Sequence, residues 1–433
     1  MDVLLWILYR TEPGCRTQRK HPRPGYPVPW FPVRSRLSAE DAAVVRSGLD
    51  VLLAQACEPL QGKRIGLVTH AAAVDRDFRT SVEALASQRG VRLETIFGPE
   101  HGLHGQAQDL IGVRDDESRA TARVVSLYGD SAASLRPTPR QLEELDLLVV
   151  DLQDVGSRYY TFQATMKYCL EVALPLGLRV LVLDRPNPIG GLLVEGPLVR
   201  DGHASFVGVH PVSIRHGLTI GELSLLYQQS IPNSRGEVQV VRCEGWSRDR
   251  HFADCGLPWV LPSPNMPTPD TALVYPGQCL VEGTNLSEGR GTTRPFEISG
   301  APWIDAGRLA RSMEALDLPG VRFRPVWFRP TFHKHAGSDC GGVQIHVVDR
   351  EKFRPVRTSL ALLVEMRRQA PEKFSWRTET YEFVSKPIAI DLLFGSPRER
   401  EAIEQGAGWQ DIAQGWEADE ETFRMTSHAF WIY

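Results

Sequence analysis

The run Leu145-Asp146-Leu147-Leu148-Val149-Val150-Asp151-Leu152 leaves few options for the fold. Successive residues of a strand point to opposite faces, so a strand this apolar needs cover on both sides, the situation of a parallel sheet layered between helices. The neighbouring segments repeat the theme. Arg64 to His70, Leu93 to Phe97, Val124 to Tyr128 and Arg179 to Leu183 are further short apolar runs, with helical patterns between them at Ser81 to Arg89 and at Phe162, Met166, Leu170 and Ala173. This alternation predicts an α/β fold with a mostly parallel sheet. Right-handed crossovers then set the carboxyl ends of the strands along one edge, where such sheets take ligands.

Three of these strands end in chemistry. Leu93 to Phe97 breaks into Gly98-Pro99-Glu100-His101-Gly102-Leu103-His104-Gly105, the Leu145 run into Asp151-Leu152-Gln153-Asp154-Val155-Gly156-Ser157-Arg158-Tyr159-Tyr160, and Arg179 to Leu183 into Asp184-Arg185-Pro186-Asn187-Pro188-Ile189-Gly190-Gly191. Glycine and proline stop regular structure at each point, leaving carboxylates, imidazoles and amides on loops. Solvated turns have the same composition, but three at one sheet edge imply a cleft. No strand-to-helix turn carries the glycine pattern of a dinucleotide site, and no phosphate loop is present, so no cofactor is expected. The net charge of −4, without a Lys/Arg cluster, lacks the footprint that nucleic acid requires. Seven scattered cysteines, none in C-x-x-C spacing, signal neither a zinc site nor a disulfide framework.

Residues 1–37 read as an extended or disordered lead-in: Leu4 to Leu8 is too short to span a membrane and lacks the flanks of a signal peptide, and Arg16 to Arg36 is proline-rich without amphipathic period. A first folded domain is expected over 48–270. Within it Thr219 to Tyr227 is a helix whose Thr219 and Glu222 form a capping box, which makes Glu222 structural, and Glu237 to Val241 is a strand. Leu261 to Pro269 holds four prolines and places a boundary near 270. A smaller α/β domain is expected over 271–433, with helices Ile304 to Leu316, Val356 to Arg368 and Pro397 to Gln405 and strands Val321 to Trp327 and Gly342 to Val348. It opens on Tyr275 to Glu297, where three glutamates, two arginines and four glycines without periodicity predict a functional loop. His333-Lys334-His335, with Asp339 and Cys340 nearby, could begin a metal site, but further ligands at diagnostic spacing are missing, so no metal is expected.

Four blocks carry a resemblance. Phe97 to Gly102, Asp151 to Thr161, Asp184 to Pro188 and Glu282-Gly283-Thr284-Asn285-Leu286-Ser287-Glu288-Gly289-Arg290-Gly291-Thr292 resemble the signature blocks of the NamZ (YbbC-like) exo-β-N-acetylmuramidases, glycoside hydrolase family 171, over roughly Gly48 to Tyr433. The resemblance implies a Rossmann-like domain followed by a smaller one, and release of N-acetylmuramic acid from the non-reducing ends of peptidoglycan fragments in bacterial cell-wall recycling. It also implies saccharide or muropeptide partners and, for many members, export.

Glycoside hydrolysis needs one carboxyl group to protonate the leaving oxygen and a second at the anomeric centre. Glu100, on its glycine-braced loop beside imidazoles, is the candidate acid. Glu282, Glu288, Asp151, Asp154 and Asp184 are candidates for the second group. Glu282 is favoured because it opens its loop before a glycine that allows close approach, although with the sugar's acetamide as nucleophile it would orient that group instead. His101, His104, Asp151, Asp154, Arg158, Tyr159, Asn187, Asn285, Glu288 and Arg290 are candidate substrate contacts. Arg290, flanked by Gly289 and Gly291, is favoured over Arg158 and Arg294 to meet the lactyl carboxylate of muramic acid. Two other readings stay open: a metal-dependent hydrolase using His101 and His104 with Asp151, and a muropeptide-binding protein without turnover.

Overall fold

The computed structural model describes residues 44–108, 111 and 122–433; the lead-in at 1–37, including Leu4 to Leu8 and Cys15, lies outside the described residues. Strands β1 (Arg64–Thr69), β2 (Arg92–Gly98), β3 (Arg123–Ser126), β4 (Leu147–Asp151), β5 (Val180–Leu183) and β6 (Val238–Val241) form one parallel sheet in the order β3-β2-β1-β4-β5-β6. Alternating side chains explain why it is covered twice. Leu147, Val149, Leu181 and Leu183 join Ile65 and Leu67 against Leu49, Leu52, Ala84 and Leu85 of the helices Gly48–Ala54 and Ser81–Ala86. Leu148, Val150, Val180 and Val182 face the other way, into the core that holds Met166 and Leu170 of the helix Phe162–Ala173 and Leu223 of the helix Ile220–Gln229. Each such side chain contributes about 1.5–3 kcal/mol on burial. Strand order reverses between β1 and β4, where Thr69 pairs with Asp151 at the carboxyl edge. That is the crevice expected to take a ligand.

A second sheet, β7 (Ile298–Ala301), β8 (Val321–Phe328) and β9 (Cys340–Val347), is antiparallel in the order β7-β9-β8 and is packed by the helix Ala306–Ala315, on which the helix Pro355–Gln369 rests in turn. Thus the chain is α/β throughout, a mostly parallel Rossmann-like sheet followed by a smaller α/β part. One continuous apolar cluster runs from Val68 and Val150 to Val343 and Leu360.

The stretch 275–297 departs from its expected form. Its first nine residues are helical, completing the helix Pro269–Gln278 and a 3-10 turn at Cys279–Gly283. Thr268 caps the helix and Pro269 starts it, but every residue from Thr271 to Gln278 is buried, so no polar face gives a 3.6-residue period. Gly277 is fixed by close packing, since a Cβ there would lie 1.9 Å from the carbonyl oxygen of Pro355. Strand β7 and the helices Ala389–Phe394, Trp409–Gln414 and Glu417–His428 were not anticipated. Strand β7 and the first two of these helices are four to six residues long, too short for periodicity to declare itself. The six described cysteines are buried free thiols, and among the described residues no helix is long and apolar enough to cross a membrane.

Candidate active site

The parallel strand β2 ends at Gly98, and Pro99-Glu100 turns across the carboxyl edge of the sheet. His101 and Gly102 both take positive φ, 69° and 77°, which folds the loop back so that the His101 ring Nδ1 lies 2.9 Å from the carbonyl oxygen of Ala107. This buries Glu100, 4% exposed, beside the first turn of the helix Phe162–Ala173, whose N-cap Thr161 donates its hydroxyl to Glu100 Oε2 at 2.6 Å. Opposite stands Glu282 on the 3-10 turn. Arg290 Nη2 donates to its Oε1 at 2.8 Å and the Tyr381 hydroxyl to its Oε2 at 2.7 Å.

Glu100 and Glu282 line one cleft with His101, Tyr159, Thr161, Arg290 and Glu382. Its floor is aromatic: Tyr160, Tyr275 and Phe296 meet edge to face, with centroids 5.9 and 4.8 Å apart. The Tyr159 hydroxyl is buried with no protein partner among the described residues. Behind the cleft Glu288 is fully buried. Burial opposes its ionisation, but Lys334 at 2.9 Å, His333 at 3.2 Å and Arg290 at 3.4 Å outweigh that and hold its carboxyl well below the usual range.

The other residues singled out in the sequence lie outside the lining. Asp151 gives both oxygens to Arg185, at 2.6 and 2.9 Å, and the same guanidinium ties down the Val74 carbonyl. Asp154 Oδ2 accepts from the Gly156 amide at 2.7 Å and faces His216 at 3.4 Å. Asp184 accepts from Thr219, the Gly221 amide and the Tyr433 hydroxyl, while its burial pushes its carboxyl up to about 6. Arg158 is buried and donates to the carbonyls of Pro197, Val212 and Leu393. Asn187 closes its own turn onto Ile189 and Leu218, and Asn285 clips its loop to Lys373 and Ser375. His104 is exposed. Glu222 forms the expected capping box with Thr219 and also pairs with Arg248 at 3.0 Å; burial pushes it up to about 7.

Among the described residues no three His, Cys, Asp or Glu side chains are grouped to hold a metal, and Asp151, engaged by Arg185, is not offered to His101. The Lys334 flanked by His333 and His335 is instead spent on Glu288. Thr161, Tyr381 and Glu382 were missed by sequence reasoning. Thr161 carried a signal, since it closes the block from Asp151, but Tyr381 is 99 residues from the Glu282 it holds, and nothing local announces it.

With this geometry in view, sequence comparison decides the family. A family model described as "Exo-beta-N-acetylmuramidase NamZ, N-terminal" matches residues 65–270, and its C-terminal counterpart matches 273–433. The chain belongs to the NamZ exo-β-N-acetylmuramidase family. It is a glycosidase by that membership, and it is 43% identical over 391 residues, 90% of this chain and 91% of the other, to the peptidoglycan β-N-acetylmuramidase NamZ of Bacillus subtilis strain 168. Two crystal structures of DUF1343 family proteins from Bacteroides fragilis are similar in fold. Both matches cover 90% of this chain and 99% of the other, with TM-scores of 0.80 and 0.70 at 33% and 25% identity.

Proposed function

We propose that this cleft hydrolyses the β-glycosidic bond of a terminal N-acetylmuramic acid residue, releasing the sugar from the non-reducing end of peptidoglycan fragments, muropeptides included. The observation that carries the residue assignment is the pairing of Glu100 and Glu282 across one cleft in contrasting surroundings. Glu100 accepts from one neutral hydroxyl among the described residues, which leaves Oε1 to carry a proton to the leaving oxygen. Glu282 has both oxygens fixed by donors and faces the anomeric centre as a carboxylate, whether to attack it, to activate water or to orient the acetamide. Tyr159 and His101 contact the sugar, and Arg290 meets the lactyl carboxylate. In this reading the N-terminal domain ends near 270, and the part that follows supplies Glu282 and Arg290 to a site based on the parallel sheet.

The test is incubation with a chromogenic β-N-acetylmuraminide in parallel with the corresponding glucosaminide. Turnover of the first in clear preference to the second is expected. Binding of muropeptide without turnover of either would replace the reading by a non-catalytic one.

A further inference from the structure

The loop Arg329 to Asp339 belongs to neither carboxylate's own segment, yet it grips the one that carries Glu282 and Arg290. A bidentate pair, Arg329 to Asp339 at 2.8 Å for both contacts, closes its base. From it Thr331 donates backbone and hydroxyl to the Gly291 carbonyl, and His335 Nε2 lies 2.7 Å from the carbonyl oxygen of Asn285. Between these points Lys334 reaches inward. Its ammonium donates to the carbonyl of Val281 at 3.0 Å, approaches that of Glu282 at 3.4 Å and pairs with Glu288 Oε2 at 2.9 Å. Glu288 in turn faces Arg290, which donates to Glu282. His333 and His335 hold positive φ, 68° and 58°, a conformation costly for residues other than glycine and kept where surrounding structure imposes it.

We propose that Lys334 is a positioning residue for the glycosidase reaction: through Glu288 and Arg290, and through the carbonyls of the 3-10 turn, it fixes the place and charge setting of Glu282. The chain of contacts alternates in sign, Lys334, Glu288, Arg290, Glu282, with all but Lys334 less than a tenth exposed, so little solvent screens one link from the next. Removing Lys334 leaves Glu288 to draw Arg290 away from Glu282. The first effect is on turnover, because Lys334 does not line the cleft.

This inference rests on the glycosidase reading, and its test keeps the two apart. Wild type, Lys334→Met and Lys334→Arg are compared on the chromogenic muraminide, with hydrogen exchange of 281–291 measured on the same samples. Lys334→Met is expected to lower kcat by about tenfold to a hundredfold, in proportion to a lost charged hydrogen bond, with KM nearly unchanged. Exchange across 281–291 should quicken, and Lys334→Arg should restore most of kcat. A Met variant with wild-type kcat overturns the proposal, as does a loss explained wholly by a smaller folded fraction. If wild type itself turns over no muraminide, the glycosidase reading fails, and unchanged exchange at 281–291 in Lys334→Met then overturns the clamp on its own.

Discussion

Glu100 and Glu282 share a cleft but are held in opposite ways. Glu100 rides on a short loop at the edge of the parallel sheet, touched by a single hydroxyl among the described residues, while Glu282 sits in a network of charges and a hydroxyl drawn from three separate segments. A group that must give up and recover a proton in each turnover needs a bond pattern that tolerates both states. A group that must keep one charge and one place needs every oxygen fixed. The difference in wiring, and not the residue type, which is the same, is what supports the two proposed roles.

The largest effect should come from the loosely held partner. Glu100→Gln is expected to fold normally and lose about 10²–10⁴-fold in kcat on a muraminide with a poor leaving group, with partial rescue by a nitrophenolate, which needs little protonation. Near-wild-type kcat in a folded variant would remove Glu100 from the acid role. Glu282→Gln should lose roughly 10²–10³-fold, and here the activated leaving group should bring no rescue, because the loss is of charge at the anomeric centre. Equal rescue of both variants would erase the contrast drawn above.

Arg290→Ala breaks the network at its centre. A hydrogen bond to a charged group is worth roughly 1.5–3 kcal/mol, so kcat/KM on the muraminide should fall about 10- to 150-fold. Loss confined to the muraminide would mean that Arg290 reads the lactyl group; the same fractional loss on a substrate lacking it would mean that Arg290 serves Glu282 and Glu288 alone. Tyr381→Phe removes one donor from Glu282 and should cost at most about tenfold. The smallest effect is on stability. Because Glu288 is held below its unfolded value of 4.5, its contribution is complete above that pH and is lost as pH falls through the folded value. The stability difference between wild type and Glu288→Gln should therefore be constant above pH 4.5 and shrink progressively as pH falls below it; a difference that does not change with pH would show that the cations around Glu288 do not depend on its charge.

The same asymmetry governs what the sequence could reveal. The parallel sheet was legible because Leu147 to Asp151 and Val180 to Leu183 bury every position, and Glu100 because glycine and proline mark the end of its strand. The start of the Glu282 segment was taken for loop because a helix buried on all sides has no amphipathic signature. Asp151, Arg158 and Asn187 stand out as polar residues at a sheet edge, yet their polarity is consumed by Arg185 and by backbone carbonyls. Sequence shows that a polar residue follows a strand; whether it faces the cleft depends on partners such as Leu393, which is 235 residues from Arg158.

The unbroken apolar cluster beneath the cleft bears on how the protein moves. Arg158, on the parallel-sheet side, is bonded to the Leu393 carbonyl, and one apolar cluster holds both Val150 and Val343. A hinge needs a few residues free to change φ and ψ between two separately packed bodies, and here there is one packed body. Sugar entry and release then fall to the cleft's own loops. In kinetic terms the cycle is expected to run without a domain-closure step, so that solvent viscosity should affect turnover only as far as diffusion of sugar and aglycone does.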